Sequence, residues 1–148
     1  FEQSARIIIN HVTKGVELAR KNKLPEAIVD FIRTHHGTTM VQYFYKSFLS
    51  KHPEADGDMK KFSYPGPKPM SKETAIVMMA DSVEAASRSL KLITEETIDK
   101  LVDTVITFQM TDEQYNDAQI TYKDLTTIRD VFKKRLQNIY HVRISYPS

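Results

Sequence analysis

The stretch Ala5-Arg6-Ile7-Ile8-Ile9-Asn10-His11-Val12-Thr13-Lys14-Gly15-Val16-Glu17-Leu18-Ala19 decides the fold class. Ile8, His11/Val12, Val16 and Ala19 recur in it at spacings of three and four, the period of one helix face. The same signature repeats along the chain. Leu24-Pro25 opens a second helix, with Pro in the first turn, where its missing N–H costs nothing. Ile28, Phe31 and Ile32 form its inward edge, and Gly37, just after His35-His36, reads as its C-terminal cap. A third helix is predicted over 39–50, with Val41, Phe44, Tyr45 and Phe48 on one side. Ser71 caps a long helix that starts at Lys72-Glu73 and runs to about Leu92. Thr94-Glu95-Glu96 opens the next, to about Met110, with Ile98, Leu101, Val102, Val105 and Ile106 inward. Thr121, followed by Asp124, opens the last, to about His141, with Leu125, Ile128, Phe132, Leu136 and Ile139/Tyr140 as its stripe. Only 4 Gly occur. The chain is read as all-α, one helical domain over residues 1–148.

Residues 51–70 interrupt this pattern. Pro53, Gly57, Pro65, Gly66, Pro67 and Pro69 forbid regular helix there. The polar first half, 52–61, is expected to be mobile. The second half, Phe62-Ser63-Tyr64-Pro65-Gly66-Pro67-Lys68-Pro69, is stiff and aromatic and is expected to pack against the domain.

Composition narrows the function. A chain of 148 residues, 41% hydrophobic and 27% charged, fits one globular domain able to bury a sizeable core. It has no Cys, which removes disulfides, thiolate metal sites and Cys nucleophiles. A net charge of +2, from Lys+Arg 21 against Asp+Glu 19, is too small and too mixed for a DNA or RNA duplex partner. The longest apolar runs, 7–9 and 75–80, fall short of the ~20 residues of a membrane span. The first residue is Phe1 and not Met, so the chain is expected to be a domain cut from a longer protein. No Gly-rich phosphate loop and no Gly-x-Ser-x-Gly elbow is present.

What remains for chemistry is His11, His35, His36 and Asp81, residue types that ligate transition metals. Adjacent residues on a helix point about 100° apart, so His35 and His36 can share an ion only at a helix end. Gly37 supplies that end, where unpaired carbonyls favour a cation. Asp81 follows the apolar run Ala75-Ile76-Val77-Met78-Met79-Ala80, where a carboxylate is costly unless paired or metal-bound. Arg88 lies two turns further along the stripe Thr74, Met78, Asp81, Ala85, Arg88 and is an alternative partner for it. Glu84 and Arg88 also form an i,i+4 pair, ordinary on a helix surface. His52 and His141 are read as surface residues. Tyr43, Tyr45 and Tyr64 are candidates either for stacking on a base or for the core.

Taken together, three runs of the sequence resemble the HD-domain phosphohydrolases. The first is His11-Val12-Thr13-Lys14-Gly15-Val16-Glu17-Leu18-Ala19 with Leu24-Pro25. The second is Ile32-Arg33-Thr34-His35-His36-Gly37-Thr38-Thr39. The third is Tyr64-Pro65-Gly66-Pro67-Lys68-Pro69, followed by 73–88 with Asp81-Ser82-Val83-Glu84-Ala85-Ala86-Ser87-Arg88. The closer likeness is to the intracellular HD domain of the seven-transmembrane HD hydrolases, the PgpH-type cyclic di-AMP phosphodiesterases. It covers about residues 4–92.

The resemblance implies an HD-type helical bundle and a metal-dependent phosphodiesterase acting on a cyclic dinucleotide. Its metal ligands here would be His11, His35, His36 and Asp81, with no further catalytic residue. Two divalent transition metals, Fe or Mn, would neutralise charge developing on the phosphate. On charge and proximity in the motif, and not as part of the resemblance, Lys68 and Arg88 are candidate substrate contacts, with Tyr64 a further one. The family's His-Asp dipeptide is absent from the chain. The expectation is therefore an N-terminally truncated domain with a partial site, inactive alone, from a parent anchored in the bacterial inner membrane with this domain in the cytoplasm. Upstream helices missing from the bundle would leave Ile8, Val12, Ile28 and Ile32 partly uncovered and favour self-association. The other reading is a non-catalytic helical module that binds a nucleotide or a partner.

Overall fold

The computed structural model describes residues 1–54 and 59–142. Its helices are α1 (Glu2–Lys21), α2 (Glu26–Thr34), α3 (Gln42–Lys51), α4 (Lys72–Ser87), α5 (Glu95–Thr111) and α6 (Tyr122–Ile139), with a 3-10 turn at Met59–Phe62. An isolated bridge joins Met40 to Ser63, and no longer β-structure occurs among the described residues. The architecture is all-α.

α4 is the shared wall. It packs against α2 on one side and α5 on the other, and α5 in turn packs on α6. Its apolar run supplies Ala75, Met78, Met79 and Val83 to the core, where they meet Ile98, Val102 and Ile106 of α5 and Leu125, Ile128 and Leu136 of α6. Three helices start where the hydroxyl spacing foretold. Ser71 accepts from the Thr74 N–H, Thr94 from Thr97 and Thr121 from Asp124, each completed into a capping box by the side chain at the third helical position.

α1 and α2 close the other end of the bundle, and here the buried lines match those expected at Val12 and Ala19 and differ elsewhere. On α1 the buried residues are Ala5, Val12 and Ala19, seven apart, while Ile8 is 39% exposed. On α2 they are Val29 and Thr34; Phe31 and Ile32 are half-buried, and Ile28 is 45% exposed. The reason is a close crossing. A Cβ on Gly15 would lie 2.9 Å from Ile32 Cγ2, so only a narrow seam of small side chains fits between the helices. Ile8 and Ile28 do stand open to solvent, as expected, but Val12 does not.

Helix ends moved as well. Pro25 precedes α2 as its N-cap instead of entering the first turn. α3 begins at Gln42, three residues later than expected. α4 stops at Ser87 and not near Leu92. There the Ser87 hydroxyl donates to the Glu84 carbonyl at 2.7 Å and accepts from Tyr140 at 2.9 Å, which tightens the last turn.

The second half of the 51–70 segment is built into the domain. Phe62 is fully buried against Tyr45 and Phe48, ring centroids 5.5 and 5.4 Å away. The Val41 N–H donates to the Phe62 carbonyl, and the Tyr64 N–H to the Thr39 carbonyl at 2.9 Å. These bonds lay 62–64 alongside 39–41. Of the stretch expected to be mobile, residues 55–58 lie outside the described residues, and 59–61 belong to the 3-10 turn.

The start of α6 yields a test. The Asp124 carboxylate accepts from the Thr121 N–H at 3.0 Å and lies 3.1 Å from Lys72 Nζ on α4. The Thr121 backbone bond, then Lys72, holds this carboxyl below its usual range. A depressed carboxyl stabilises the fold above the unfolded pKa near 3.8 and loses that contribution as pH falls through its lower folded value. Asp124→Asn is therefore expected to lower the urea midpoint at pH 7, with a deficit that shrinks below about pH 3.8. Thr121→Ala should cost about 1 kcal/mol by the same assay.

Candidate metal centre

α2 ends at Thr34, which leaves His35 as the C-cap and His36 in the turn beyond it, their ring centroids 4.1 Å apart. Gly37 makes the turn with φ +50 and is fully enclosed, so it serves both the backbone angle and the lack of space. His11 comes from the facing side of α1, with its ring centroid 5.2 Å from His35 and 5.0 Å from His36. The ligand nitrogens of these three residues all lie within 4.8 Å of one another.

The hydrogen bonds set the tautomers. His11 Nδ1 lies 2.5 Å from the Ile8 carbonyl and His35 Nδ1 2.5 Å from the Ile32 carbonyl. A carbonyl only accepts, so both Nδ1 atoms carry the proton, and in the neutral rings both Nε2 atoms are bare lone pairs. Those Nε2 atoms face each other at 3.1 Å. Two acceptors cannot bond to each other. A cation between them resolves the conflict, and 3.1 Å is close to the separation of imidazole nitrogens that bind one ion at about 2.1 Å each. Burial, then His35 and His11, pushes His36 down to about 3, so at neutral pH it too offers a lone pair. The donor set fits a divalent transition metal.

Asp81 reaches this group from α4, with Oδ2 3.8 Å from His36 Nδ1. With His36 neutral, that approach is not an ion pair. Asp81, expected in an apolar environment from its sequence neighbours, is exposed in the structure, its side chain 46% accessible. The run 75–80 buries Ala75, Met78 and Met79 and turns Val77, Ala80 and Asp81 outward. The stripe through Thr74, Met78, Asp81, Ala85 and Arg88 is thus buried only in its first turn. Asp81 borders the histidines and stands outside the tight set of three.

Tyr64 completes the rim. Its ring stacks on His36 at 4.3 Å and 20°, and it meets His11 edge-on at 5.9 Å. Burial, with Asp81 nearby, raises its phenol above the usual value, so the hydroxyl stays protonated.

Comparison with known proteins agrees with this geometry. The family model for the HD domain matches residues 1–86. This chain belongs to the HD-domain family. Membership implies binding of divalent metal, with which the histidine cluster is compatible. The HD domain is 42% identical over 144 residues to the cyclic-di-AMP phosphodiesterase PgpH of Bacillus subtilis, covering 97% of this chain and 20% of that protein. It is 40% identical over 146 residues to the protein of that name from Listeria monocytogenes, covering 99% of this chain and 20% of that protein. The chain thus spans about a fifth of the length of these relatives. The crystal structure of the L. monocytogenes PgpH HD domain in complex with cyclic di-AMP superposes with a TM-score of 0.91 at 39% identity, covering 98% of this chain and 67% of that one.

The remaining candidates divide. Arg88 caps the end of α4 and pairs with Glu84 at 3.2 Å, with both side chains more than half exposed, the ordinary surface pair expected of that spacing. Lys68 is half-buried and makes no hydrogen bond or ion pair among the described residues. Tyr43 is 73% exposed, and Tyr45 packs on Phe62.

Sequence reading missed Gln114. It lies in the turn after α5, only 2% exposed, and its Oε1 accepts from the Thr38 N–H at 3.0 Å while its Nε2 donates to Thr38 Oγ1 at 3.0 Å. It clamps the turn that holds His35 and His36. A lone Gln in a polar turn carries no periodic signal, and only its partner, 76 residues away, reveals it. Gln114→Leu is expected to cost about 1–3 kcal/mol of stability. It should also weaken Mn²⁺ binding, measured by titration calorimetry, by about 10–100-fold through the loosened turn.

Proposed function

We propose that this HD domain is the metal-dependent phosphodiesterase unit of a longer protein and that its substrate is a cyclic dinucleotide, cyclic di-AMP. The observation that carries the reading is the bare-nitrogen cluster of His11, His35 and His36, with Asp81 3.8 Å from His36. The names of the similar proteins and the cyclic di-AMP complex of the L. monocytogenes domain supply the substrate. His11, His35, His36 and Asp81 would hold the metal, Fe or Mn, in a two-ion centre. Bound there, divalent metal supplies a Lewis acid for the phosphate oxygens.

The chain's own residues do the rest. Nδ1–H bonds to Ile8 and Ile32 hold the His11 and His35 rings in their ligating tautomer. Tyr64, stacked on His36, keeps a protonated hydroxyl at the rim, able to donate to a phosphate oxygen. Lys68, four residues on and without an ion pair among the described residues, is a second phosphate contact, and Arg88 a third once it leaves Glu84. Residues 1–148 contain no His-Asp dipeptide, so on this reading they bind metal by themselves and turn substrate over poorly. No described helix is long and apolar enough to cross a membrane. A cytoplasmic position in a protein anchored in the bacterial inner membrane follows from the resemblance to seven-transmembrane HD hydrolases.

The test is turnover of cyclic di-AMP by the longer protein loaded with Mn²⁺, followed by chromatography of the linear product. His36→Ala and Asp81→Ala should each lower kcat/KM by about 10³-fold or more, roughly 4 kcal/mol of transition-state stabilisation, with unchanged circular dichroism. Full activity in either variant removes the role given to that residue. Binding of cyclic di-AMP without turnover in the metal-loaded protein would favour a non-catalytic module.

A further inference from the structure

The turn after α5 carries two buried polar side chains next to each other in sequence, Gln114 and Tyr115, 2% and 6% exposed. They reach opposite sides of the candidate metal centre. Gln114 clamps Thr38, two residues beyond His36. Tyr115 reaches towards α4. Its hydroxyl donates to Gln109 Oε1 at 2.6 Å, and Gln109 Nε2 donates to Ser82 Oγ at 2.7 Å, directly after Asp81 in the chain. Burial pushes the Tyr115 phenol above its ordinary range, so it stays a donor. The backbone ties the two reaches together, since the Gln114 N–H donates to the Gln109 carbonyl at 3.0 Å.

This relay gives α4 something its apolar residues do not. Ala75, Met78, Met79 and Val83 are buried, but Val77, Ala80 and Ala85, also apolar, face solvent. Turning the helix about its axis would exchange apolar residues for apolar ones, and burial, which is non-directional, resists that weakly. A hydrogen bond resists it well, because its strength depends on angle. Gln109 is 4% exposed, so losing Ser82 would leave its amide N–H buried and unsatisfied.

Asp81 is where that rotation matters. Its carboxylate makes no hydrogen bond among the described residues and stands 3.8 Å from His36 Nδ1. The backbone of α4 therefore sets the gap. We propose that Tyr115 is a positioning residue of the metal centre, which through Gln109 and Ser82 fixes the rotation of α4 and with it the distance between Asp81 and His36. One turn of chain, 114–115, would then hold both halves of the ligand set in register. The role rests on the reading of Asp81 as a metal ligand.

Two readouts on this chain test it, one of them without metal. Mn²⁺ binding is measured by titration calorimetry, and the His36 ring resonances are followed by NMR in EDTA. Tyr115→Phe and Ser82→Ala, which cut the relay at its two ends, should each weaken Mn²⁺ about 10-fold. In an Asp81→Ala background the same changes should alter affinity less than about twofold, because the relay acts through Asp81. In EDTA both variants should displace the His36 ring resonances. Tyr122→Phe, at a tyrosine 83% exposed, should leave both readouts unchanged. Unaltered Mn²⁺ affinity in both relay variants, or an equal loss with and without Asp81, overturns the positioning role. So does a His36 ring that neither variant moves. Absence of Mn²⁺ binding by the unaltered chain would overturn the metal reading instead, and the ring signal in EDTA would still decide whether the relay sets the gap.

Discussion

The separation of two helices governs the site. α1 and α2 cross so closely that Gly15 has no room for a side chain beside Ile32, and one turn away the same crossing sets His11 against His35. Each imidazole spends its Nδ1–H on a carbonyl of its own helix, so the nitrogens that meet are both acceptors. A packing constraint between two helices thus becomes an electrostatic demand for a cation. Widening the crossing by a larger residue at position 15 would relieve the demand and disperse the ligand set.

The rest of the fold reads as support for that crossing. α4 packs against α2 from behind and brings Asp81 to the edge of the cluster. The turn carrying His35 and His36 is held from a third direction by Gln114, and the 62–64 segment is laid against 39–41 by backbone bonds that bring Tyr64 over His36. Side chains from α1, the α2 turn, α4 and the 62–64 segment therefore converge on one small volume. Each supporting contact joins residues far apart in sequence, so the site exists only in the folded chain.

Helix period, hydroxyl caps and the His-His-Gly turn were legible in the sequence because they are local. Ser71, Thr94 and Thr121 cap the helices they were expected to cap, and His35 and His36 stand at a helix end as their adjacency requires. Which side of a helix is buried was less legible. On α1 the expected stripe holds at Val12 and Ala19 and fails at Ile8, and on α2 Val29 is buried in place of Ile28, because close approach favours small side chains over large apolar ones. Asp81 showed the same limit. Its apolar neighbours in sequence face the core, and it faces out, so its link to His36 rests on position and not on burial. Gln114 with Thr38 is a long-range pairing of single polar residues, for which periodicity offers no sign.

The central claim is that His11 and His35 present bare Nε2 atoms to one cation. Long-range ¹H–¹⁵N correlation spectra of the histidine rings report this directly. The Nδ1–H tautomer is expected for both residues in the metal-free protein, with both Nε2 resonances displaced together at one equivalent of Zn²⁺. An Nε2–H tautomer at either residue, or Nε2 resonances that zinc leaves in place, would contradict it.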